Sequence, residues 1–133
     1  MSDRDFLRAF ESCSIAVSDF HHVDHVRLAW IYLHIYPLLQ AIQHFTHSLK
    51  RFARHHGATS LYHETITWAY LLLIHERIQR GGTGLNWRDF CALNSDLFAQ
   101  RPSLIERYYS RDTLSSDLAR RTFLFPDFDC REF

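Results

Sequence analysis

A chain of 133 residues is the size of one domain and can bury a core of its own. Its 15 Lys and Arg residues balance 15 Asp and Glu, which removes the electrostatic case for nucleic acid or an anionic membrane surface as partner. The three cysteines, Cys13, Cys91 and Cys130, are too far apart for a zinc ribbon, and the polar opening Ser2-Asp3-Arg4-Asp5 is unlike a secretory leader, so reduced thiols in a cytoplasmic protein are expected.

Ser2-x-x-Asp5 has the form of a capping box, and Phe6, Leu7 and Phe10 follow at helical spacing, which predicts a short first helix over about residues 2–12. Ser18 or Asp19 can cap a second helix whose apolar stripe is Val26, Ala29, Leu33 and Tyr36, and Pro37 ends it. A third helix is expected over about 38–55 through Ala41, Ile42, Phe45, Leu49 and Phe52, with Gly57 as its left-handed cap. Within it, Lys50-Arg51-x-x-Arg54-His55-His56 reads as a solvated face. A fourth helix runs from near Leu61 to Arg80 through Ile66, Tyr70, Leu73 and Ile74, and Gly81-Gly82 stop it.

Shorter helices follow. Asn86 can cap one carrying Trp87, Phe90 and Leu93; Pro102 suits the start of another through Leu104, Ile105 and Tyr108; Ser115 or Ser116 can cap a last one through Leu118 and Arg121. The aromatic tail Phe123-Leu124-Phe125-Pro126-Asp127-Phe128 is expected to pack back across the molecule. Residues 28–49 lack Asp, Glu, Lys and Arg, but His34, Pro37, Gln40, Gln43, His44 and His47 are too many polar interruptions for a membrane span. No segment alternates with period two. The fold class read from this pattern is all-α: one domain, 1–133, forming a compact bundle with three long central helices and short C-terminal ones.

Short connections make neighbouring helices antiparallel, so the starts of the second and fourth helices should share one end of the bundle with the end of the third. Two patches fall there, His21-His22-Val23-Asp24-His25 and Tyr62-His63-Glu64-Thr65. His22, His25, Ala29 and Leu33 step by three and four along one stripe, as do His63, Ile66, Tyr70 and Leu73; His21 lies about 100° off. A helix start disfavours protonated imidazole and favours carboxylate. The expected site is therefore a transition-metal centre, of zinc, iron or copper, on His22, His25 and His63, with Glu64 as fourth ligand, orienting group or base. Nitrogens in a filled site would lie about 3–4 Å apart.

The competing readings are a metal-free acid–base or ligand pocket and histidines that merely satisfy the core. A chain with ten histidines shows an H-x-x-H by chance roughly 0.7 times, so that motif alone carries little. His34, His44 and His47 read as core or surface groups, His55 and His56 as helix-end caps, and His75 lies about 18 Å along the axis from His63. Thr67 stands where a zinc-protease H-E-x-x-H needs histidine, and no His-Asp dipeptide, paired Glu-x-x-His, phosphate-loop lysine or G-x-S-x-G occurs.

Phe20-His21-His22-Val23-Asp24-His25-Val26 with Ala29-Trp30, Tyr62-His63-Glu64-Thr65 with Thr67, and the endings Tyr109-Ser110, Leu114-Ser115, Ala119-Arg120 and Pro126-Asp127 together resemble a group of small, uncharacterised bacterial helical proteins. The resemblance spans nearly the whole chain and implies no activity. Some similar proteins carry Asn in place of His63, so the resemblance implies an alternative ligand set of His22, His25 and Glu64, two imidazoles and a carboxylate, which suits non-haem iron.

Two functions follow as expectations. One is a small metalloenzyme, a hydrolase or oxidoreductase, with an open coordination position for water or dioxygen. The other is a non-catalytic helical module, monomer or homo-oligomer, in which Trp30, Trp68, Tyr32, Tyr70 and Phe125 form a small-molecule pocket or an interface.

Overall fold

The computed structural model describes residues 1–81 and 84–127. These residues form an all-α fold with no β-strand, and none of their helices is long and apolar enough to cross a membrane. Helix α1 spans Asp3–Glu11, α2 His22–Ile35, α3 Leu38–His55 and α4 Glu64–Gly81. Three short helices follow: α5 (Trp87–Leu93), α6 (Arg111–Leu114) and α7 (Asp117–Arg121). Helices α2, α3 and α4, of 14, 18 and 18 residues, make the centre, with α2 packed against both others.

Local chemistry sets most of the boundaries. The Ser2 hydroxyl accepts the Asp5 backbone N–H and starts α1. Pro37 separates α2 from α3, and Gly57 closes α3 at φ +65°, the left-handed conformation that glycine adopts without steric cost. Asn86 caps α5 through the Asp89 N–H, and Ser116 caps α7 through that of Ala119.

Several elements differ from the sequence reading. Helix α2 starts at His22, after a 3-10 turn at Val17–Asp19, because the Asp24 carboxylate reaches back to the His21 N–H at 2.9 Å. Helix α4 starts at Glu64; Thr59–Leu61 is a separate 3-10 turn. The segment after Pro102 forms only a 3-10 turn, Leu104–Arg107, with Ser103 bonded to the Glu106 carboxylate. The turn at Ser95–Phe98 and helix α6 have no counterpart in the expected order. Gly82, at the expected stop of α4, along with Cys130 and Phe128, lies outside the described residues.

An aromatic column fills the centre. Phe10 of α1, fully buried, lies 5.5 Å from Phe20 and 5.3 Å from Phe52 between ring centroids, and Phe20 in turn meets Phe52 at 4.8 Å. Arg27 latches α1 to α2: it bonds Asp3 at 2.9 Å and lies over the Phe6 ring. The tail crosses α4 as far as Leu124. The buried Thr65 hydroxyl donates to the Thr122 carbonyl at 2.8 Å and accepts the Leu124 N–H at 3.2 Å, and Phe123 stacks on Trp68. Phe125 turns outward and is 84% exposed.

Candidate functional site

A cavity of about 340 Å³ lies between the first turns of α2 and α4 and the C-terminal half of α3. Helix α2 contributes His22, His25, Val26 and Ala29; α3 contributes Phe45, Leu49, Phe52 and Ala53; α4 and the turn before it contribute Tyr62, His63, Ile66, Thr67 and Tyr70. Antiparallel packing through two short connections thus places all three singled-out imidazoles in the lining of one cavity. Glu64 is not among the residues that line it.

The three rings hold different hydrogen-bonding positions. His63 has both nitrogens engaged. Its Nδ1 accepts the Ile66 backbone N–H at 3.1 Å, which makes the ring the cap of α4, and its Nε2 meets the Leu114 carbonyl at 2.7 Å. A carbonyl only accepts, so the proton sits on Nε2. Burial lowers the His63 pKa and favours this neutral form. His22, in the first turn of α2, spends Nε2 on the Leu97 carbonyl at 2.8 Å and lies edge-on to Tyr70. His25 packs at a tilt against Phe20 with ring centroids 4.3 Å apart, and neither of its nitrogens has a hydrogen-bond partner among the described residues. Burial first, and the neighbouring His22 second, lower its pKa from 6.5 to about 4, so it is neutral at neutral pH.

Glu64 belongs to another cluster. It accepts a short hydrogen bond from the Tyr62 hydroxyl and lies 3.9 Å from Lys50 Nζ, and Lys50 also sits over the Tyr62 ring. Burial and the Glu64 carboxylate together raise the Tyr62 phenol well above its ordinary range. Tyr62 therefore lines the cavity as a neutral phenol whose proton is given to Glu64.

For a metal ion, the open donors are His22 Nδ1 and the two nitrogens of His25. Among the described residues, no three His, Cys, Asp or Glu side chains are grouped to hold a metal. None of the other seven histidines lines the cavity: among them, His34 bonds the Trp30 carbonyl at 2.7 Å, His44 stacks on Tyr36, His21, His47 and His55 are exposed, and His56 packs on Phe52 with a buried, unpartnered Nε2.

Of the aromatics expected to form a pocket, only Tyr70 lines the cavity. Trp30 packs on Trp87, Trp68 on Phe123 and Tyr32 on Phe45. The walls come instead from Phe20, Phe45 and Phe52. Phe45 and Phe52 stand on the apolar stripe of α3, so helical spacing marks them as inward-facing but cannot say that the space between them stays open. No protein-family model, curated protein or solved structure matches this chain.

Proposed function

We propose that this protein binds a small, compact aromatic molecule in the cavity between α2, α3 and α4. The observation that carries this reading is the neutral, unpartnered His25 ring on the wall of an otherwise largely apolar cavity of about 340 Å³. Small-molecule sites combine apolar walls with a few convergent polar groups in this way. An apolar protein cavity of about 150 Å³ holds benzene, so there is room here for a substituted ring. Toluene titrated into the labelled protein should shift the amide resonances of Ala29, Leu49, Ile66 and Tyr70 saturably. Ala53→Leu, which narrows the cavity from α3, should weaken that effect. A folded protein whose resonances do not respond to toluene would sink the reading.

A transition-metal centre is the second reading, supported by His22 and His25 one turn apart with open nitrogens. Zinc, iron or copper held there would take its remaining positions from the cavity's occupant, since His63 is engaged twice. Metal analysis of protein purified without a histidine tag tests it: about one equivalent, lost in His25→Phe, would favour a metalloprotein.

A further inference from the structure

We infer that the aromatic molecule bound in this cavity is a phenol, whose hydroxyl proton is donated to His22 Nδ1 while its oxygen accepts the N–H of His25. This rests on the reading of the cavity as a ligand site and names the chemistry of the ligand.

Three observations converge. No Asp, Glu, Lys or Arg lines the cavity, so nothing there balances the charge of a carboxylate, phosphate or amine. Of the other polar side chains in the lining, Tyr62 gives its proton to Glu64 and His63 is held by Ile66 and Leu114, while Thr67 and Tyr70 add only uncharged hydroxyls. Beside these uncharged groups, the demand for a hydrogen-bond donor comes from His22. Its Nε2 must carry the proton given to the Leu97 carbonyl, so Nδ1, when it carries no proton, presents a lone pair that takes a donor. His25, one turn on along α2, is a neutral imidazole with one N–H and one lone pair, neither satisfied by the protein. Side chains at i and i+3 of a helix are neighbours, with Cβ atoms about 5–6 Å apart, and both imidazoles line the same cavity. A hydroxyl oxygen supplies one donor and two lone pairs, and so matches this pair where an ether, with no donor, or a hydrocarbon does not. The rings of Phe20 and Tyr70 flank the two imidazoles and give the attached aromatic ring its walls.

Four probes of nearly equal size decide it on the unmodified full chain near neutral pH: p-cresol, toluene, 4-methylanisole and p-toluate. Engaging His22 Nδ1 and the N–H of His25 should make p-cresol bind at least about tenfold tighter than toluene or 4-methylanisole. It should also shift the His22 Nδ1 and His25 ring nitrogen resonances, and p-toluate should bind most weakly. His22→Phe and His25→Phe should each abolish the preference for p-cresol while toluene still binds. Should either variant fail to fold, the probe series and nitrogen shifts on the unmodified protein still decide. Equal affinity for toluene and p-cresol would overturn the phenol while leaving the cavity as a ligand site. Tightest binding of p-toluate would overturn it in favour of an anion. Failure of all four probes would remove the ligand site itself.

Discussion

His63 ties two distant parts of the chain together: its Nε2–H donates to the carbonyl of Leu114, 51 residues later, while its Nδ1 caps α4 through the Ile66 N–H. One ring thereby starts a central helix and anchors the C-terminal end of α6. His63→Ala removes both functions and should cost about 2 kcal/mol in urea unfolding, one part for the cap and one for the partly buried carbonyl left unpaired. Asn is itself a good cap but too short to reach Leu114, so His63→Asn should recover about half of that loss. Equal destabilisation by Ala and Asn would mean that the Leu114 bond alone matters.

His25 sets a pH dependence with a definite sign. Its pKa is about 4 in the fold against 6.5 for an ordinary histidine. Between those values the unfolded chain takes up a proton that the folded chain refuses, so stability is full above about pH 6.5 and declines as pH falls toward about 4. The full effect of this single group is about 3 kcal/mol at 1.36 kcal/mol per pK unit. His63, also lowered by burial, acts in the same direction. Asp96 and Asp127, both held below the ordinary carboxylate range by hydrogen bonds, lose their contribution only at lower pH. Melting temperature followed against pH should therefore begin to fall before the carboxylates titrate, and His25→Phe should flatten that first decline. An identical profile in the variant would place the proton uptake elsewhere.

Glu64 is a test of whether its patch acts as one site or two. It contacts Tyr62 and Lys50 and does not line the cavity. Glu64→Gln should keep one hydrogen bond to Tyr62, lose about 0.5–1 kcal/mol of stability, and leave toluene affinity and metal content as they were. A fall in metal content with an unchanged melting point would return Glu64 to a metal centre.

The end of α4 is held by a different device. Arg77 grips the Asp96 carboxylate with two bonds of 2.8 Å and gives a third, of 3.1 Å, to the buried Asn94 side chain. The fork geometry belongs to guanidinium, so Arg77→Lys should recover little of what Arg77→Ala loses. Both ends of the pair are partly open to water, so each variant should lie about 1–2 kcal/mol below the parent. A lysine variant as stable as the parent would reduce the contact to simple charge attraction.

What was legible in the sequence was local. Pro37 and Gly57 bracket α3 because a fixed φ and a positive φ are properties of those residues wherever they stand. The stripe of His22, His25 and Ala29 likewise reports a facing direction that spacing alone determines, and all three line the cavity. The start of α4 was not legible, because the cap is an imidazole, outside the usual set of Ser, Thr, Asp and Asn, and Thr59 and Ser60 lie just before it. Nor was the difference between His63 and His25. It is decided by the carbonyl of Leu114, which reaches His63 through the C-terminal turns and has no local trace. Whether Phe45 and Phe52 meet a neighbour or leave a cavity is likewise a property of the assembled helices.

Thr65 gives the sharpest test of how the tail is held. Its side chain is fully buried, and its hydroxyl both donates to the Thr122 carbonyl and accepts the Leu124 N–H, bridging α4 to the segment after α7. Thr65→Val keeps the shape of the side chain and removes only the hydroxyl, so two tail backbone groups lose their partner at once. Each buried group left unpaired costs about 1–3 kcal/mol, and the tail can escape part of that by detaching toward water. Stability should therefore fall by about 1–3 kcal/mol, and the Leu124 amide should lose hydrogen-exchange protection more than the amides of α2 and α3. Detachment would also free Phe123 from Trp68, so tryptophan fluorescence should change in the folded variant. A variant with full stability and a protected Leu124 amide would show that the Tyr109 hydroxyl, bonded to the Leu124 carbonyl at 2.6 Å, holds the tail unaided.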